Sequence, residues 1–478
     1  MSDNCKRTPL SWAAGEGRDE AVVLLLGNKD VNPNITDRDG QTPLSWAARN
    51  GHDGVVKLLL ERKDVNPNIQ DNDGQTPLLW ATMRRRDRVV ELLLECDDVN
   101  PNMADAGDLT PLRCAAVDGN DRVVKLLLER QDVTPNITDN LGQTPLSQAS
   151  QSGHKGAVKL LLRCQNVNPN IADQEGRTPL FLAAERGHHG IVQLLLERKD
   201  ANLNMTDNIG KTPLSRASES GHEEVVKLLL RCQNVNPNIS DQEGRTPLFL
   251  AAERGHHGVV QLLLERKDAN PNMADDTGKT PLSRASESGR EEVLKLLLRC
   301  QNVNPNIADY SGQTPLLLVH ASHHPGIVQL LLEHEDVNPN TTDNFGRTLL
   351  WWSAHFADDR TVELLLERED ITPNIQSYHI QTPLATAARL GYGGVVKLLL
   401  GHKDVNPNIT DKVGRTPLSW AASSGNDEVV QLLLGRKDVD LNIPDNDGRT
   451  PLWWASCTRN EGAARLLKTR QSANTDAV

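Results

Sequence analysis

A single short period dominates this sequence. A threonine recurs from Thr8 to Thr450 at intervals of 34 residues without one slip. When each unit is opened five residues before its threonine, fourteen units cover the chain from Asp3 to Val478. A chain of 478 residues would otherwise suggest several globular domains. An uninterrupted short period indicates instead a one-dimensional array whose units pack on their neighbours, which leaves no place for the buried cleft of a compact enzyme.

We therefore expect one repeat array over residues 1–478, with its units numbered 1 to 14 along the chain. The last unit is expected to be a C-terminal cap, because its leucine triplet becomes Leu466-Leu467-Lys468 and a polar tail follows. No comparable cap precedes the first turn, which favours either a fraying first unit or a missing upstream segment. The units span residues 3–36, 37–70, 71–104, 105–138, 139–172, 173–206, 207–240, 241–274, 275–308, 309–342, 343–376, 377–410, 411–444 and 445–478.

Composition and charge exclude several classes of function. A mean hydropathy of -0.48 and the lack of an apolar run near ~18 residues argue against a membrane-embedded chain. The N-terminus has no signal-peptide core, so we expect an intracellular protein, in the cytoplasm or alternatively the nucleus. A net charge of -12 opposes binding to nucleic-acid phosphates. We expect a monomer that binds neither nucleic acid nor a membrane.

The second unit shows how each repeat should fold. Gly40 ends an Asp-x-x-Gly turn, and Thr42 should cap a short helix that begins at Pro43. That helix should end near Asn50, with Gly51 as its left-handed C-terminal cap. A second helix, over about residues 53–62, carries a broad stripe of valine and leucine. Two helices of this size bury too little surface to stand alone, so stability must come from stacking.

The resulting string, Asp-x-x-Gly-x-Thr-Pro-Leu-x-x-Ala-Ala-x-x-Gly-His-x-x-Val-Val-x-Leu-Leu-Leu, resembles the ankyrin repeat over essentially the whole chain. The resemblance implies an all-α ankyrin-repeat solenoid of about 14 helix-turn-helix units with short hairpin turns. A tetratricopeptide array has a similar period, but it lacks the Thr-Pro-Leu helix start and the Asp-x-x-Gly hairpin. The variant is similar to the long regular arrays of fungal multi-repeat proteins, where ankyrin units often follow a nucleotide-binding or effector module.

This chain departs from the ankyrin pattern in identifiable places. The usual unit has 33 residues, and the extra residue falls in the Asp-Val-Asn-Pro-Asn loop, which could change the spacing of the hairpins. The histidine that normally follows Thr-Pro-Leu is serine in several units, such as Ser45, so its bonds between neighbouring loops are in doubt. We expect local irregularity where the standard proline or glycine is replaced, at Arg85, Asp108, His323, Leu349, Ala357, Ile380 and Arg459.

No arrangement of residues supports an enzyme, a metal site or a cofactor. Cys96, Cys164, Cys232 and Cys300 occupy equivalent places about 20 Å apart, too far for disulfides. His320 and His324 have the spacing of helical metal ligands, but Pro325 follows at once, so we expect this segment to turn. We therefore predict no catalytic, metal-binding or cofactor-binding residues.

In ankyrin arrays, partners usually dock in a concave groove lined by the turn tips and the first helices. The equivalent residues of the regular middle units, such as Arg177 and Glu185, are polar and are expected to be solvated. The chain has only four Phe and three Tyr, and most of them fall between residues 310 and 392. The candidate partner-binding residues are Tyr310, Phe345, His355, Phe356, Tyr378 and His379.

Two interpretations of these aromatic residues remain open at this point. Clustered exposed aromatics are typical anchors of protein interfaces. Alternatively, some of them fold inward to repair a degenerate unit, and Trp351 and Trp352 are the strongest candidates for that role. For the whole chain we expect a non-enzymatic scaffold that binds a protein in the groove. The alternative is a structural spacer or the sensing arm of a larger multidomain protein whose effector domain is absent from this sequence.

Overall fold

The computed structural model describes residues 3–321, 324–379 and 381–475. It divides into two compact halves, an N-terminal half, Met1–Gln242, and a C-terminal half, Glu243–Val478. Within the described residues the regular structure is entirely helical, which confirms the predicted fold class. Each 34-residue repeat contributes two antiparallel helices, so odd-numbered helices are first helices and even-numbered helices are second helices.

In its described residues, the N-terminal half contains seven pairs of helices. They are α1 (Pro9–Gly15), α2 (Asp19–Leu26), α3 (Pro43–Asn50), α4 (Asp53–Leu60), α5 (Pro77–Met83), α6 (Asp87–Leu94), α7 (Pro111–Val117), α8 (Asp121–Glu129), α9 (Pro145–Ser152), α10 (Lys155–Arg163), α11 (Pro179–Glu185), α12 (His189–Leu196), α13 (Pro213–Ser220) and α14 (Glu223–Leu230).

The C-terminal half repeats the pattern, with a short 3-10 turn at Val319–Ala321 after α19. Its helices are α15 (Pro247–Arg254), α16 (His257–Leu264), α17 (Pro281–Glu287), α18 (Glu291–Arg299), α19 (Pro315–Leu318), α20 (Pro325–Leu332), α21 (Leu349–Phe356), α22 (Asp359–Leu366), α23 (Pro383–Leu390), α24 (Gly393–Gly401), α25 (Pro417–Ser424), α26 (Asp427–Leu434), α27 (Pro451–Cys457) and α28 (Glu461–Thr475).

Local chemistry sets the helix boundaries as the sequence predicts. The Thr42 side chain accepts a hydrogen bond from the Ser45 amide, and Pro43 is the first helical residue of α3. Gly51 ends that helix at a φ of 85°, a left-handed conformation that glycine adopts without a Cβ clash. The second helix was predicted to about residue 62 but ends at Leu60. Arg62 lies beyond it, and its guanidinium bonds the end of the preceding second helix, at the Leu26 carbonyl 2.9 Å away.

Small residues let the first helices approach one another closely. Ala47 and Ala48 are fully buried, and Leu44 is buried beside them. Val56 and Leu59 of the second helix close the core from the other side. Small residues recur at the positions of Ala47 and Ala48 in most repeats, so within each half of the chain the apolar core extends along the stacked helices, as expected for a repeat array.

A ladder of asparagines joins the loops that carry the extra residue of each repeat. The Asn68 side chain donates to the Asp98 carbonyl at 2.7 Å and accepts from the Asn100 amide at 2.8 Å. The same two links recur from Asn34 to the second repeat and from Asn306 to the tenth. The neighbouring hairpins also remain joined through their backbones, so the longer loop does not separate them.

Where serine replaces the histidine of the usual pattern, its hydroxyl makes a contact inside its own repeat. Ser45 is completely buried, and its hydroxyl lies 2.9 Å from that of Thr42. Neighbouring hairpins are linked by main chain instead, since the Asn72 amide donates to the Asp39 carbonyl at 3.0 Å. The connection between loops therefore does not depend on a histidine at this position.

The end of the second helix shows an alternation over two repeats. In the N-terminal half, the residue just beyond this helix is arginine in the even-numbered repeats, at Arg62, Arg130 and Arg198. The same position is cysteine in repeats 3, 5 and 7. The Arg130 guanidinium donates to the carbonyls of Leu94 and Cys96 in the preceding repeat, at 2.9 and 3.1 Å. Arginine therefore supplies donors that cap the preceding second helix, and in this part of the chain it does so at every second junction.

The predicted irregularity at replaced glycines was wrong for the residues that the structure describes. Arg85, Asp108, Ala357 and Arg459 adopt positive φ values between 53° and 60°, the same left-handed region as the glycines of other repeats. The stacked neighbours impose this conformation despite its steric cost. Helix α21 also begins at Leu349, directly after its threonine as in the other repeats, because Thr348 still caps it. The predictions for His323 and Ile380 lie outside the described residues.

The asparagine ladder can be tested by one substitution and a control in the same loop. Asn68→Ala removes both bonds between repeats, and we expect a local loss of about 1–2 kcal/mol. Asn66→Ala is the control, because its side chain accepts only from the Asn68 amide of its own loop. Hydrogen exchange measured by mass spectrometry should accelerate in residues 97–103 for Asn68→Ala and much less for the control. Equal protection in both variants would contradict the ladder's role.

Candidate functional site

Backbone hydrogen bonds align the hairpin tips of repeats 10 to 12. The Asp343 carboxylate accepts from the amides of Phe345 and Arg347, at 2.9 and 3.0 Å, and so closes its own hairpin. The Asn344 amide donates to the Ser311 carbonyl, and the Tyr378 amide donates to the Phe345 carbonyl at 2.8 Å. Each tip is therefore fixed to the one before it.

Aromatic side chains on these tips project into solvent. Tyr310, Phe345 and Tyr378 are 76%, 58% and 71% exposed. The Tyr378 ring lies on Gly346 of the preceding hairpin, where a Cβ on that glycine would be 3.0 Å from the ring. Tyr310 lies on Gly278 in the same way. The tips thus present a row of rings, and the two tyrosines each lie on a glycine that leaves room for the ring.

Helix α21 carries a second set of aromatic residues beside the tips. The rings of Trp352 and Phe356 stack with their centroids 5.6 Å apart, and His320 of the preceding repeat stacks on Trp352 at 4.3 Å. Phe356 is 51% exposed, whereas Trp351 is buried and stacks on the half-buried His355 at 5.1 Å. Stacked rings with fixed partners lose little conformational freedom on binding.

Arg347 connects the hairpin tip to the helix. Its guanidinium lies 4.5 Å from the centroid of Phe345 and 4.1 Å from that of Trp352. Its Nε also pairs with the buried Asp343 carboxylate at 2.8 Å. A cation over aromatic faces is attracted by their quadrupoles, and the ion pair holds it in place. The structure therefore brings Phe345 and Phe356 to one surface through Arg347 and Trp352.

The two tryptophans of α21 have different roles. The Trp352 indole lies 3.3 Å from the Asp343 carboxylate, which matches the bond from Trp46 to Asp37 and from Trp420 to Asp411 in other repeats. Trp352 therefore occupies a regular structural position, and Trp351 is the additional ring. Inward packing holds for Trp351, while Tyr310, Phe345, Phe356 and Tyr378 are all exposed. Binding by these residues stays a prediction.

The two candidate histidines differ in environment. His379 is exposed beside Tyr378 at its hairpin tip. His355 is half-buried on α21, and its pKa lies below the ordinary 6.5 because burial disfavours the imidazolium and because Arg389 and Arg347 repel a positive charge. His355 is therefore neutral at pH 7, and it adds a flat surface without another cation.

The charged groups of the regular middle repeats are largely paired within the protein. Arg177 binds the buried Asp173 at 2.9 Å and Glu175 at 2.9 Å. Glu185 lies 3.3 Å from Arg216 of the next repeat. The prediction that Arg177 and Glu185 are solvated was wrong, because Arg177 pairs with acids of its own hairpin and stacking brings Arg216 of the next repeat to Glu185.

Three exposed apolar residues were missed by the sequence reasoning. They are Leu141 and Ile209 in the N-terminal half and Val413 in the C-terminal half, and all three are exposed at the hairpin position that Phe345 occupies in repeat 11. Leu141 and Ile209 are 68 residues apart, which is two repeats, and so are Phe345 and Val413. That period is visible in the sequence once residues at equivalent positions are aligned, and it extends the candidate surface to further tips.

Among the described residues, no three or more His, Cys, Asp or Glu side chains form a group that could hold a metal ion. Within the same residues, no helix combines the length and the apolar character that crossing a bilayer requires.

The chain is similar to known proteins in its repeat. The chain matches the family model for ankyrin repeats (3 copies) over residues 10–105, 56–139, 98–173, 146–241, 230–309, 301–377 and 384–477. Among solved structures, a similar one is the crystal structure of the ankyrin repeat domain of Bcl-3, a unique member of the IkappaB protein family. That similarity has 28% sequence identity, covers 47% of this chain and 98% of that chain, and has a TM-score of 0.43. No match was found among curated proteins.

The electrostatic environment of His355 predicts how its pKa responds to one substitution. Arg389→Gln removes a repelling charge, so the pKa of His355 should rise toward 6.5 without reaching it, because burial still disfavours the charged ring. NMR titration of the imidazole protons measures this shift. Because the folded pKa is lowered, the contribution of His355 to stability is complete above about pH 6.5 and declines as the pH falls.

The matched control is Arg449→Gln, which removes a cation that stacks on Trp453 and Trp454. It should leave the pKa of His355 unchanged. An unchanged pKa in Arg389→Gln would contradict the placement of Arg389 beside this ring.

Proposed function

Because this chain belongs to the ankyrin-repeat family, as its motif predicted, we propose that it is a non-enzymatic scaffold that binds a protein partner on the groove side of repeats 10 to 12. Ankyrin repeats are in general protein–protein interaction modules. We further propose that the scaffold is an intracellular monomer and requires no cofactor. The contact residues in this proposal are Tyr310, Phe345, His355, Phe356, Tyr378 and His379.

The observation that carries the proposal is the contrast between buried and exposed aromatic residues. Phe181 and Phe249, in the regular repeats, are among the most completely buried side chains of the protein. Tyr310, Phe345 and Tyr378 lie instead on hairpin tips and are more than half exposed. An exposed aromatic cluster costs hydration free energy in the free protein, and a partner that covers it recovers this cost.

The surface is also pre-organised for binding. Arg347 fixes Phe345 against Trp352, and the Asp343 carboxylate fixes Arg347 in turn. Rings that are held before binding lose fewer rotamers when a partner docks, so more of the contact free energy remains as affinity. Large, rigid aromatic anchors of this kind dominate the energetics of many interfaces.

The middle repeats offer a weaker alternative surface. In repeat 7, Lys211 pairs with Glu219 at 2.7 Å, and Arg216 pairs with Glu219 and Glu185. A partner that used these charges would first have to separate ion pairs that are already satisfied. This favours the exposed aromatic residues of repeats 10 to 12 as the surface that binds the partner.

The proposal is tested with a triple variant, Phe345→Ala, Phe356→Ala and Tyr378→Ala. Partners would first be identified by affinity capture with the intact chain, and each would then be purified and its Kd measured by calorimetry. Loss of three anchors should weaken binding at least about a hundredfold, while the helical circular dichroism remains unchanged.

The control carries Trp12→Ala and Trp453→Ala, which remove exposed aromatic residues from the first and last repeats. It should bind with the affinity of the unchanged chain. Equal affinities of the triple variant and the intact chain would overturn the proposal and favour the spacer or sensing arm.

A further inference from the structure

Most repeats close the junction with their neighbour by using the side chain just before the second helix. His52 Nε2 lies 3.0 Å from the Gly15 carbonyl, and His222 Nε2 lies 3.0 Å from the Glu185 carbonyl. Arg290 reaches the Glu253 carbonyl in the same way, with its Nε donating at 3.3 Å. These side chains donate to carbonyls at the end of the preceding first helix, where the helix itself provides no partner.

One repeat lacks a side chain that can serve this purpose. In the other thirteen repeats the position holds arginine, histidine, asparagine or tyrosine, all of which carry a hydrogen to donate. In repeat 11 it is aspartate, whose ionised carboxylate only accepts. The fourteen residues are Arg18, His52, Arg86, Asn120, His154, His188, His222, His256, Arg290, His324, Asp358, Tyr392, Asn426 and Asn460.

Asp358 turns toward its own helix. Its carboxylate accepts a hydrogen bond from the Thr361 amide at 3.1 Å and caps α22. A side chain of this length and charge does not perform the role that His52 or Arg290 performs elsewhere.

A cavity of about 310 Å³ lies at this junction, between the first and second helices of repeats 10 and 11. The described residues that line it include Asp358, Val319 and Leu349. Its aromatic wall is the stack of His320, Trp352 and Phe356, with the centroids of the first two rings 4.3 Å apart. The cavity thus combines flat aromatic faces with a carboxylate at its edge.

We propose that this cavity binds the guanidinium group of an arginine side chain that a basic segment of the protein partner inserts. The equivalent position in other repeats already holds an arginine of this chain, at Arg86 and Arg290, so a guanidinium fits the junction. A planar guanidinium stacks on aromatic faces and forms paired hydrogen bonds with a carboxylate. Lysine matches neither feature as well.

The charges around the cavity are compatible with a cationic guest. Arg360 also lines it, but this exposed side chain pairs with Glu363 at 3.2 Å. The net charge of -12 attracts basic segments over longer distances. The identity of the arginine's carrier rests on the proposed scaffold function, whereas the chemistry of the cavity is independent of it.

The test uses N-acetyl-arginine amide as the probe and the intact protein as the receptor. NMR spectra of the tryptophan indole N–H groups report binding, and a Trp352→Phe variant assigns the signal of the cavity wall. We expect saturable shifts of the Trp352 signal with a Kd on the order of 1 mM. The matching citrulline amide has the same shape without the charge, and it should bind at least about tenfold more weakly.

Two substitutions and a control locate the binding determinant. Asp358→Asn keeps the shape and removes the charge, and it should weaken probe binding at least about tenfold. Asp358→His supplies the donor found in other repeats, so it should abolish binding and raise the melting temperature. Asp359→Asn removes an acid one residue away that is outside the described lining, and it should bind the probe normally.

Three results would overturn the inference: no shift of the Trp352 signal, equal binding of the arginine and citrulline probes, or unchanged binding by Asp358→Asn. A Phe345→Ala, Tyr378→Ala variant keeps the cavity lining intact and should bind the probe normally. Failure of the aromatic surface would therefore appear only in the partner assay, and failure of the cavity would appear in the probe assay.

Discussion

Every repeat satisfies backbone groups that its neighbour cannot satisfy alone, and the remaining structure depends on this exchange. Asparagine side chains bridge the loops, arginines cap the preceding second helices, and histidines or arginines close the first helices. Because the period is 34 residues throughout, a donor meets its acceptor again wherever the side chain is retained, as along the asparagine ladder. This explains how pairs of helices only seven to nine residues long, such as α3 and α8, form a stable array.

The same dependence explains why a few replacements have functional meaning. A non-glycine residue such as Ala357 can be forced into the left-handed conformation, because the neighbours on both sides over-determine the chain path. A missing donor is different, since no backbone adjustment supplies a hydrogen that Asp358 lacks. Repeat 11 combines that loss with extra aromatic residues. The adjoining surface and cavity therefore differ chemically from those of the regular repeats.

The sequence predicted the family, the helical class and the start of most helices, because capping and turn residues act locally. It failed where the answer depended on a neighbouring repeat. Glu185 was expected to be solvated, but its partner Arg216 comes from the next repeat. The end of α4 was placed too late, since Arg62 was counted as helical although it bonds the previous repeat.

The sequence by itself determined the period, the helix starts within a repeat and the concentration of aromatic residues in repeats 10 to 12. Only the tertiary structure decided which of those rings are exposed. Trp351 and Trp352 are adjacent in the chain, yet one is the buried extra ring and the other bonds Asp343. Their burial depends on how successive repeats stack, because side chains one position apart on a helix face different neighbours. A one-dimensional pattern does not contain that information.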